Sequence, residues 1–496
     1  MRFSFCFFIL SLLSSYIFAQ SQTGINQFSK KIITDQLEDP WTIIYAPDNH
    51  LWITEAKGYR VLRIDPQTSH RDTLADLNNL RSFSRYDTLS DEIDGGKPWP
   101  QAGLMGMALH PAFLNGKPYV YLAYLYDFEG KNRPGKGESI LDGGFHFLTR
   151  IVRYQYDSAK LKLIDPVTIC DSIPGSNDHN GGRLLIADIN NKAYLFYSVG
   201  DMGAGQFKNG GRRNNAQNSD SYEGKLLRFE TEPLVSTNTA DAWIPQDNPF
   251  KGERKKAIWS LGHRNAQGLT KLQIQGKDQI YLAEHGPFSD DEINIISRGS
   301  NYGHPLVIGY ADGNYNGLAA GVTEVDSLPG KWNTTYPLII DEVANAGKIK
   351  NYVNPLKSFY PTSNKELFSV ETGMLTGAVK DKEWESLAPS GVTSYNSDAI
   401  PGWKFSLLVT SLKQGKITRL KLNSGGTRVV AEEELFKGSG RYRDISVSAD
   451  GTKIYIITDR SAVTSGPTEG KSANQELRGA IIEYTYLKQN GAGAAN

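Results

Sequence analysis

Six stretches of the chain repeat one pattern: a polar turn of Asp, Asn, Gly, Lys or Pro, then an apolar run rich in Tyr, Ile, Val and Leu. They are PDNHLWITE from Pro47, GKPYVYLAY from Gly116, NNKAYLFYSVGD from Asn190, GKDQIYLAE from Gly276, WKFSLLVTS from Trp403 and DGTKIYIIT from Asp450. Alternation with period two marks strands, and long amphipathic helical windows are nearly absent. Recurrence every ~80 residues predicts an all-β fold, a six-bladed β-propeller with long connections, because common propeller repeats span only about 40–50 residues. A large β-sandwich, or several small ones, would use the same strands. The widest interval separates the fourth and fifth segments, where a large insertion is expected.

No Pro- or Ser-rich linker divides the chain, so a single catalytic propeller is expected over residues 20–486. It would lie between a signal peptide at 1–19 and a disordered tail at 487–496, which ends in NGAGAAN. The leader reads as secretory because Arg2 precedes FSFCFFILSLLSSYIFA, too short for a span and closed by small residues, with cleavage after Ala19. No second apolar run is long enough to cross a membrane, which points to a periplasmic or secreted protein. Cys6 leaves with the leader and lies too far from the cleavage site for a lipoprotein anchor. Cys170 is then alone, without a disulfide partner, and reads as a small buried apolar residue. Lys plus Arg and Asp plus Glu both number 54. Net charge therefore points to neither nucleic acid nor an anionic membrane surface, and any charge-driven chemistry must be local.

Four clusters follow or separate the repeated strands. SNDHNGGRL holds Asp178 and His179, and GDMGAGQ adds Asp201 and Gln206 one strand later. A histidine with carboxylates nearby suits a general base whose tautomer a carboxylate fixes, although a lone histidine is often structural. LGHRNAQGL places Arg264 and Asn265 between glycines. EHGPFSDDEIN ends a strand at a Gly-Pro corner that leaves carbonyls unpaired beside three acids. That corner fits a hard cation, and equally a solvated acidic turn. TSLKQGK and GRYRDIS supply Lys413, Arg441 and Arg443, which at the ends of the last two blades would converge on one mouth as a polyanion pocket. Arg441 and Arg443 could instead be alternate strand residues paired with nearby acids.

These clusters, in this order, resemble the soluble quinoprotein glucose dehydrogenases of the glucose/sorbosone dehydrogenase family. The resemblance runs from about Asp39 to Tyr484 and is strongest in LGHRNAQGL, HGPFSDDEIN, NYGHP and RYRDIS. It implies a six-bladed propeller that uses pyrroloquinoline quinone (PQQ) and calcium to oxidise an aldose at C1 to a lactone, passing electrons to an external acceptor. By that resemblance His179 is the base, Asp201 orients it, and Gln101 of PQAGLMG and Asp178 meet the sugar. Arg264 and Asn265 would lie at the quinone carbonyls, with Gln206 beside the site. Lys413, Arg441 and Arg443 would hold the cofactor carboxylates, and Trp384 would cover it. The carbonyls of Gly286 and Pro287 would bind the calcium that meets PQQ. Glu292, Tyr302, Tyr310 and Asp312 resemble a second, structural calcium site near a homodimer contact.

The chain departs from this pattern in three places. Asp381 stands where a second covering aromatic is expected. His285 stands where glucose-specific members have glutamine, which resembles the broader aldose-oxidising branch. Residues from about 314 to 382, which would help to form the sugar pocket, match poorly. Two other classes compete: a non-catalytic binding propeller, which has no need of the base or the cations, and a calcium-dependent lactonase, which has no need of three cations around a tricarboxylate.

Overall fold

The computed structural model describes residues 27–83, 101–131, 143–206, 209–234, 240–250, 256–323, 331–377, 384–460 and 476–488. The expected leader, the tail beyond Lys488, Asp381 and parts of the long loop after residue 323 lie outside them. The described strands form six four-stranded antiparallel sheets arranged as propeller blades, which sets the sandwich alternative aside. Strand β1 (Phe28–Thr34) pairs with β24 (Ile481–Tyr486), so the first strand is the outermost member of the last blade and the two ends of the chain close the ring.

The innermost strands are β2 (Pro40–Tyr45), β6 (Leu104–Leu109), β10 (Gly181–Ile189), β14 (Asn265–Ile274), β18 (Pro389–Tyr395) and β22 (Tyr442–Val447). Every repeated sequence segment becomes the second strand of a blade: β3 (Leu51–Glu55), β7 (Tyr119–Lys131), β11 (Lys192–Val199), β15 (Lys277–His285), β19 (Ser406–Ser411) and β23 (Lys453–Thr458). These strands are apolar on both faces because each blade is packed between two others. On β11, Leu195 and Tyr197 join the core shared with the preceding blade, while Tyr194 and Phe196 join the core shared with the following one. β23 divides likewise, Ile454 and Ile456 to one side and Tyr455 and Ile457 to the other.

The wide interval holds an insertion with its own small core, in which Phe288, Ile308, Tyr315, Leu318, Trp332 and Leu367 pack together. Two helices form there, α1 (Glu342–Lys348) and α2 (Asn364–Thr376). α1 is capped by Asp341, whose carboxylate accepts the Ala344 amide at 2.9 Å. α2 starts with a Ser363/Glu366 capping box and ends at Gly377 with φ +70°. Both helices are too short and too sparsely apolar to show in a search for helical periodicity.

α2 carries Glu371 into this core, where Oε2 accepts the Ala319 amide at 3.5 Å and, among the described residues, Oε1 has no hydrogen-bond partner. Burial pushes its pKa up from 4.5 to about 9. Between those limits the folded chain keeps a proton that the unfolded chain releases, so this contribution to stability is present at low pH and lost as pH rises. At neutral pH the site costs on the order of 3 kcal/mol. Glu371→Gln is therefore expected to raise the melting temperature, by little at pH 5 and by most at pH 9. Calorimetry showing a gap independent of pH would contradict this.

Candidate active site

All six inner strands enter the ring through a register shift. It lies between Pro40 and Thr42, Leu104 and Met107, Gly181 and Leu184, Ala266 and Gly268, Pro389 and Val392, and Tyr442 and Asp444. A bulge bends the strand and re-aims its side chains, and here it does so at the end where the second strands finish. Residues just before or within the starts of inner strands meet residues just after second strands at this mouth.

The loop into β10 holds His179 in the left-handed region, φ +49°, braced by Asn180, whose amide donates to the Ser176 carbonyl at 2.9 Å. The loop lies against the backbone of Gly200, where a Cβ would come within 1.9 Å of the His179 carbonyl oxygen. Gly200 thereby sets His179 beside Asp201, and His179 Nδ1 lies 2.8 Å from Asp201 Oδ1. Asp201 is fully buried. Its Oδ1 also accepts the Gly203 amide at 3.0 Å, while Oδ2 meets His304 Nε2 at 2.8 Å, Asn214 Nδ2 at 3.0 Å and the Tyr336 hydroxyl at 3.1 Å. Burial alone would raise the Asp201 pKa, but His179 and His304 outweigh it and hold the carboxyl below the usual range. A carboxylate at Nδ1 assigns the proton to that nitrogen and leaves Nε2 with a lone pair.

That lone pair faces the Gln206 amide nitrogen at 3.1 Å. The same amide lies 3.3 Å from Asp178 Oδ2, and Gln206 Oε1 accepts Arg264 Nη2 at 2.8 Å. Gln206 thus ties the His179 imidazole, the Asp178 carboxylate and the Arg264 guanidinium together. Arg264 Nη1 donates to the carbonyls of Gly286, 2.8 Å, and His285, 3.2 Å, and its backbone amide donates to Glu284 at 2.8 Å. Gln101 joins through its backbone, donating to the Asn177 carbonyl at 2.9 Å. Asn265 accepts the Gly181 amide at 3.3 Å.

The Gly-Pro corner is not a solvated acidic turn, because Asp290, Asp291 and Glu292 are all buried. Asp291 accepts the Gly286 amide at 2.9 Å and, on its other oxygen, Ser386 Oγ at 2.7 Å with the Leu387 and Ala388 amides at 2.7 and 3.0 Å. Asp290 accepts Ser358 at 2.6 Å and Asn314 at 2.9 Å. Glu292 accepts the Gly309 amide at 2.9 Å and Asn294 at 2.8 Å. Burial raises the pKa of all three. They brace the turn through its own backbone and the neighbouring loops. The Tyr302 hydroxyl donates to the Ile295 carbonyl at 2.6 Å, that of Tyr310 meets the Leu356 carbonyl at 3.4 Å, and Asp312 accepts the Asn314 amide at 3.1 Å. Among the described residues no three His, Cys, Asp or Glu side chains gather as a metal site.

Across the mouth, Arg443 donates Nε and Nη2 to the two Asp459 oxygens at 2.8 and 2.7 Å and stacks 4.4 Å over Trp41. Arg441 Nε reaches Asp459 at 3.2 Å, while its buried Nη1 has no partner among the described residues. Lys413 donates to the Trp384 carbonyl at 2.8 Å and lies 4.5 Å above that indole, which meets Phe288 edge-on at 5.4 Å. His285 links the two halves. Burial first, then Arg264, His179, Arg443 and Arg441, press its pKa well below the ordinary value, and its Nε2 has no partner among the described residues. Arg264 Nε is similarly unpaired. Three buried polar atoms at one mouth, two of them on arginines, suit a polar ligand carrying negative charge.

Several members were absent from the sequence-level set: His304, Asn214, Tyr336, Asp459 and Lys57. Lys57 is buried, donates to the Ala102 carbonyl at 2.9 Å, and burial lowers its pKa to about 7. Its signal was positional, since it follows β3 just as Asp201 follows β11 and Asp459 follows β23. His304 lies within NYGHP, a string that resembled the family without indicating a role. Tyr336 comes from the poorly matching loop and carries no local signal.

The family described as Glucose / Sorbosone dehydrogenase matches residues 37–333 and 337–464. Quinoprotein glucose dehydrogenase B of Acinetobacter calcoaceticus is 31% identical over 480 residues, covering 92% of this chain and 91% of that protein. Aldose sugar dehydrogenase YliI of Escherichia coli is 27% identical over 470 residues, covering 93% and 97%. The PQQ-bound aldose sugar dehydrogenase from Streptomyces coelicolor shares the fold, with a TM-score of 0.57, 20% identity and 92% and 98% coverage.

Proposed function

The chain belongs to the glucose/sorbosone dehydrogenase family, and from that membership we propose that it is an exported quinoprotein oxidising the C1 hydroxyl of an aldose to a lactone, with PQQ and calcium as cofactors. One observation carries the reading: a histidine base fixed by a buried carboxylate faces, across one mouth, arginines whose buried nitrogens lack partners. The relatives' names, one a glucose and one an aldose sugar dehydrogenase, support the substrate class.

The residues fit the cofactors. Lys413, Arg441 and Arg443 would meet the PQQ carboxylates, Arg264 and Asn265 its quinone oxygens, and the Trp384 indole its face. The Gly286 and Pro287 carbonyls would hold calcium, and because they are neutral the cation would depend on the cofactor for counter-charge. When bound, the calcium–quinone pair supplies a polarised two-electron acceptor for the hydride that leaves C1. His179 Nε2 takes the C1 hydroxyl proton. Asp201 stabilises the resulting imidazolium, and Gln206 sets Asp178 and Arg264 at fixed distances from the base. Gln101 and Asp178 would orient the sugar. Electrons then leave to an external acceptor.

The test is reconstitution of purified apo-protein with PQQ and calcium, followed by dye reduction across an aldose panel. Reduction that needs both additions and is lost with a chelator supports the proposal. Quinone-independent lactone hydrolysis, or failure to bind PQQ, overturns it.

A further inference from the structure

Asp201 is shared by two histidines. His179 takes Oδ1 and His304 takes Oδ2, both at 2.8 Å, and both rings are buried. A carboxylate rotates readily about its terminal torsion, so one partner on one oxygen does not fix its plane. The Oδ2 donors come from three separate segments. Tyr336 belongs to the insertion, packed with Trp332 and Ile339, and Asn214 belongs to the connection between β11 and β12 (Lys225–Glu230). His304 is clamped through its own backbone: its amide donates to the Gly262 carbonyl at 3.1 Å, and its carbonyl accepts Gln217 Nε2 at 2.7 Å. Gly262 lies two residues before Arg264, so this clamp ties His304 to the strand start that carries the guanidinium.

His304 also has a feature that packing alone does not call for. Among the described residues its Nδ1 is buried without a partner, a cost that an apolar ring of similar size would avoid. The ring meets Tyr336 edge-on at 5.8 Å, a contact phenylalanine could equally make. What phenylalanine could not supply is the Nε2–H to Asp201.

We infer that His304 is a positioning residue for the base His179, acting through the Asp201 carboxylate that the two histidines share. The inference rests on His179 being the base. His304 locks the plane of Asp201, Asp201 locks the Nδ1–H tautomer of His179, and Nε2 is left aimed into the mouth. Tyr336 and Asn214 donate to the same oxygen over longer distances, 3.1 and 3.0 Å.

The experiment uses full-length apo-protein labelled with ¹⁵N-histidine, at one fixed pH, in the parent and in His304→Phe, His304→Gln and Tyr336→Phe. Imidazole ¹⁵N shifts separate a protonated nitrogen from one bearing a lone pair, and loss of a signal in His179→Asn assigns His179. The parent is expected to show one tautomer at His179. His304→Phe should move that pattern toward a mixture, Tyr336→Phe should move it less, and His304→Gln should restore most of it. In the PQQ-loaded protein, His304→Phe should lower kcat by up to about 10²-fold with little change in KM. An unchanged His179 pattern in folded His304→Phe overturns the inference, whatever happens to turnover. The nitrogen signals need no cofactor, so an inactive protein with the expected shifts would refute the dehydrogenase reading and leave this pairing standing. Should His304→Phe not fold, failure of His304→Gln to keep the parent pattern would count against it.

Discussion

Substituting alanine for His179 is expected to lower turnover of the PQQ-loaded protein by about 10²–10⁴-fold, the usual worth of a placed general base. The loss should fall on kcat, because Gln101, Asp178 and Arg264, the proposed sugar and quinone contacts, remain. His179 Nε2 is the ring nitrogen that carries the lone pair, with Nδ1 committed to Asp201 at 2.8 Å. Asp201→Asn offers Nδ1 an amide in place of the carboxylate, so it favours the wrong tautomer and should approach the same loss. His179→Ala should also lower the melting temperature somewhat, since buried Asp201 loses one partner while keeping His304, Asn214, Tyr336 and the Gly203 amide. Steady-state kinetics on the loaded protein, paired with a quinone titration, decide the matter. Equal turnover in parent and variant would assign proton removal elsewhere, and loss of quinone affinity without loss of kcat would make His179 a binding residue.

The second large effect concerns the ring itself. Arg183, on the third blade, donates Nη1 to Asp444 on the sixth at 2.6 Å and to Thr42 on the first at 3.1 Å, and Nε to the Gln267 carbonyl on the fourth at 2.9 Å. One buried guanidinium therefore joins four blades across the axis. Arg183→Met would leave Asp444 a buried charge whose remaining contacts include the Ile43 amide at 3.0 Å, and breaking such a pair costs about 3–5 kcal/mol. The denaturant midpoint should fall accordingly. Arg183→Met combined with Asp444→Leu should recover much of the loss, because removing both charges removes the desolvation cost. A single variant that unfolds at the parent's midpoint would show that the interblade cores, not the axial tie, decide stability.

The legibility of the fold follows from the same packing. Second strands lie between two blades and are apolar on both faces, so six of them stood out as runs. Outer strands such as β21 (Val429–Leu435), with Glu432, Glu433 and Glu434 in succession, carry little apolar signal. Inner strands begin in bulges that break the alternation. The site divided along the same line. Arg264 and His179 lie in short strings of unusual composition, whereas Lys57 and Asp459 look like ordinary turn residues until the ring brings their strand ends together.

By itself the sequence determined the number of blades, the strands that face neighbours on both sides, and the strings that hold the base and the cations, because these are written in local alternation and composition. Only the tertiary structure decided which polar groups meet. It gave Asp201 two histidines, put Asp459 between Arg441 and Arg443, and turned the three acids after the Gly-Pro corner into braces for it. Those pairings join residues up to 103 positions apart, as His304 and Asp201 are, and ring closure sets their distances where no local pattern can.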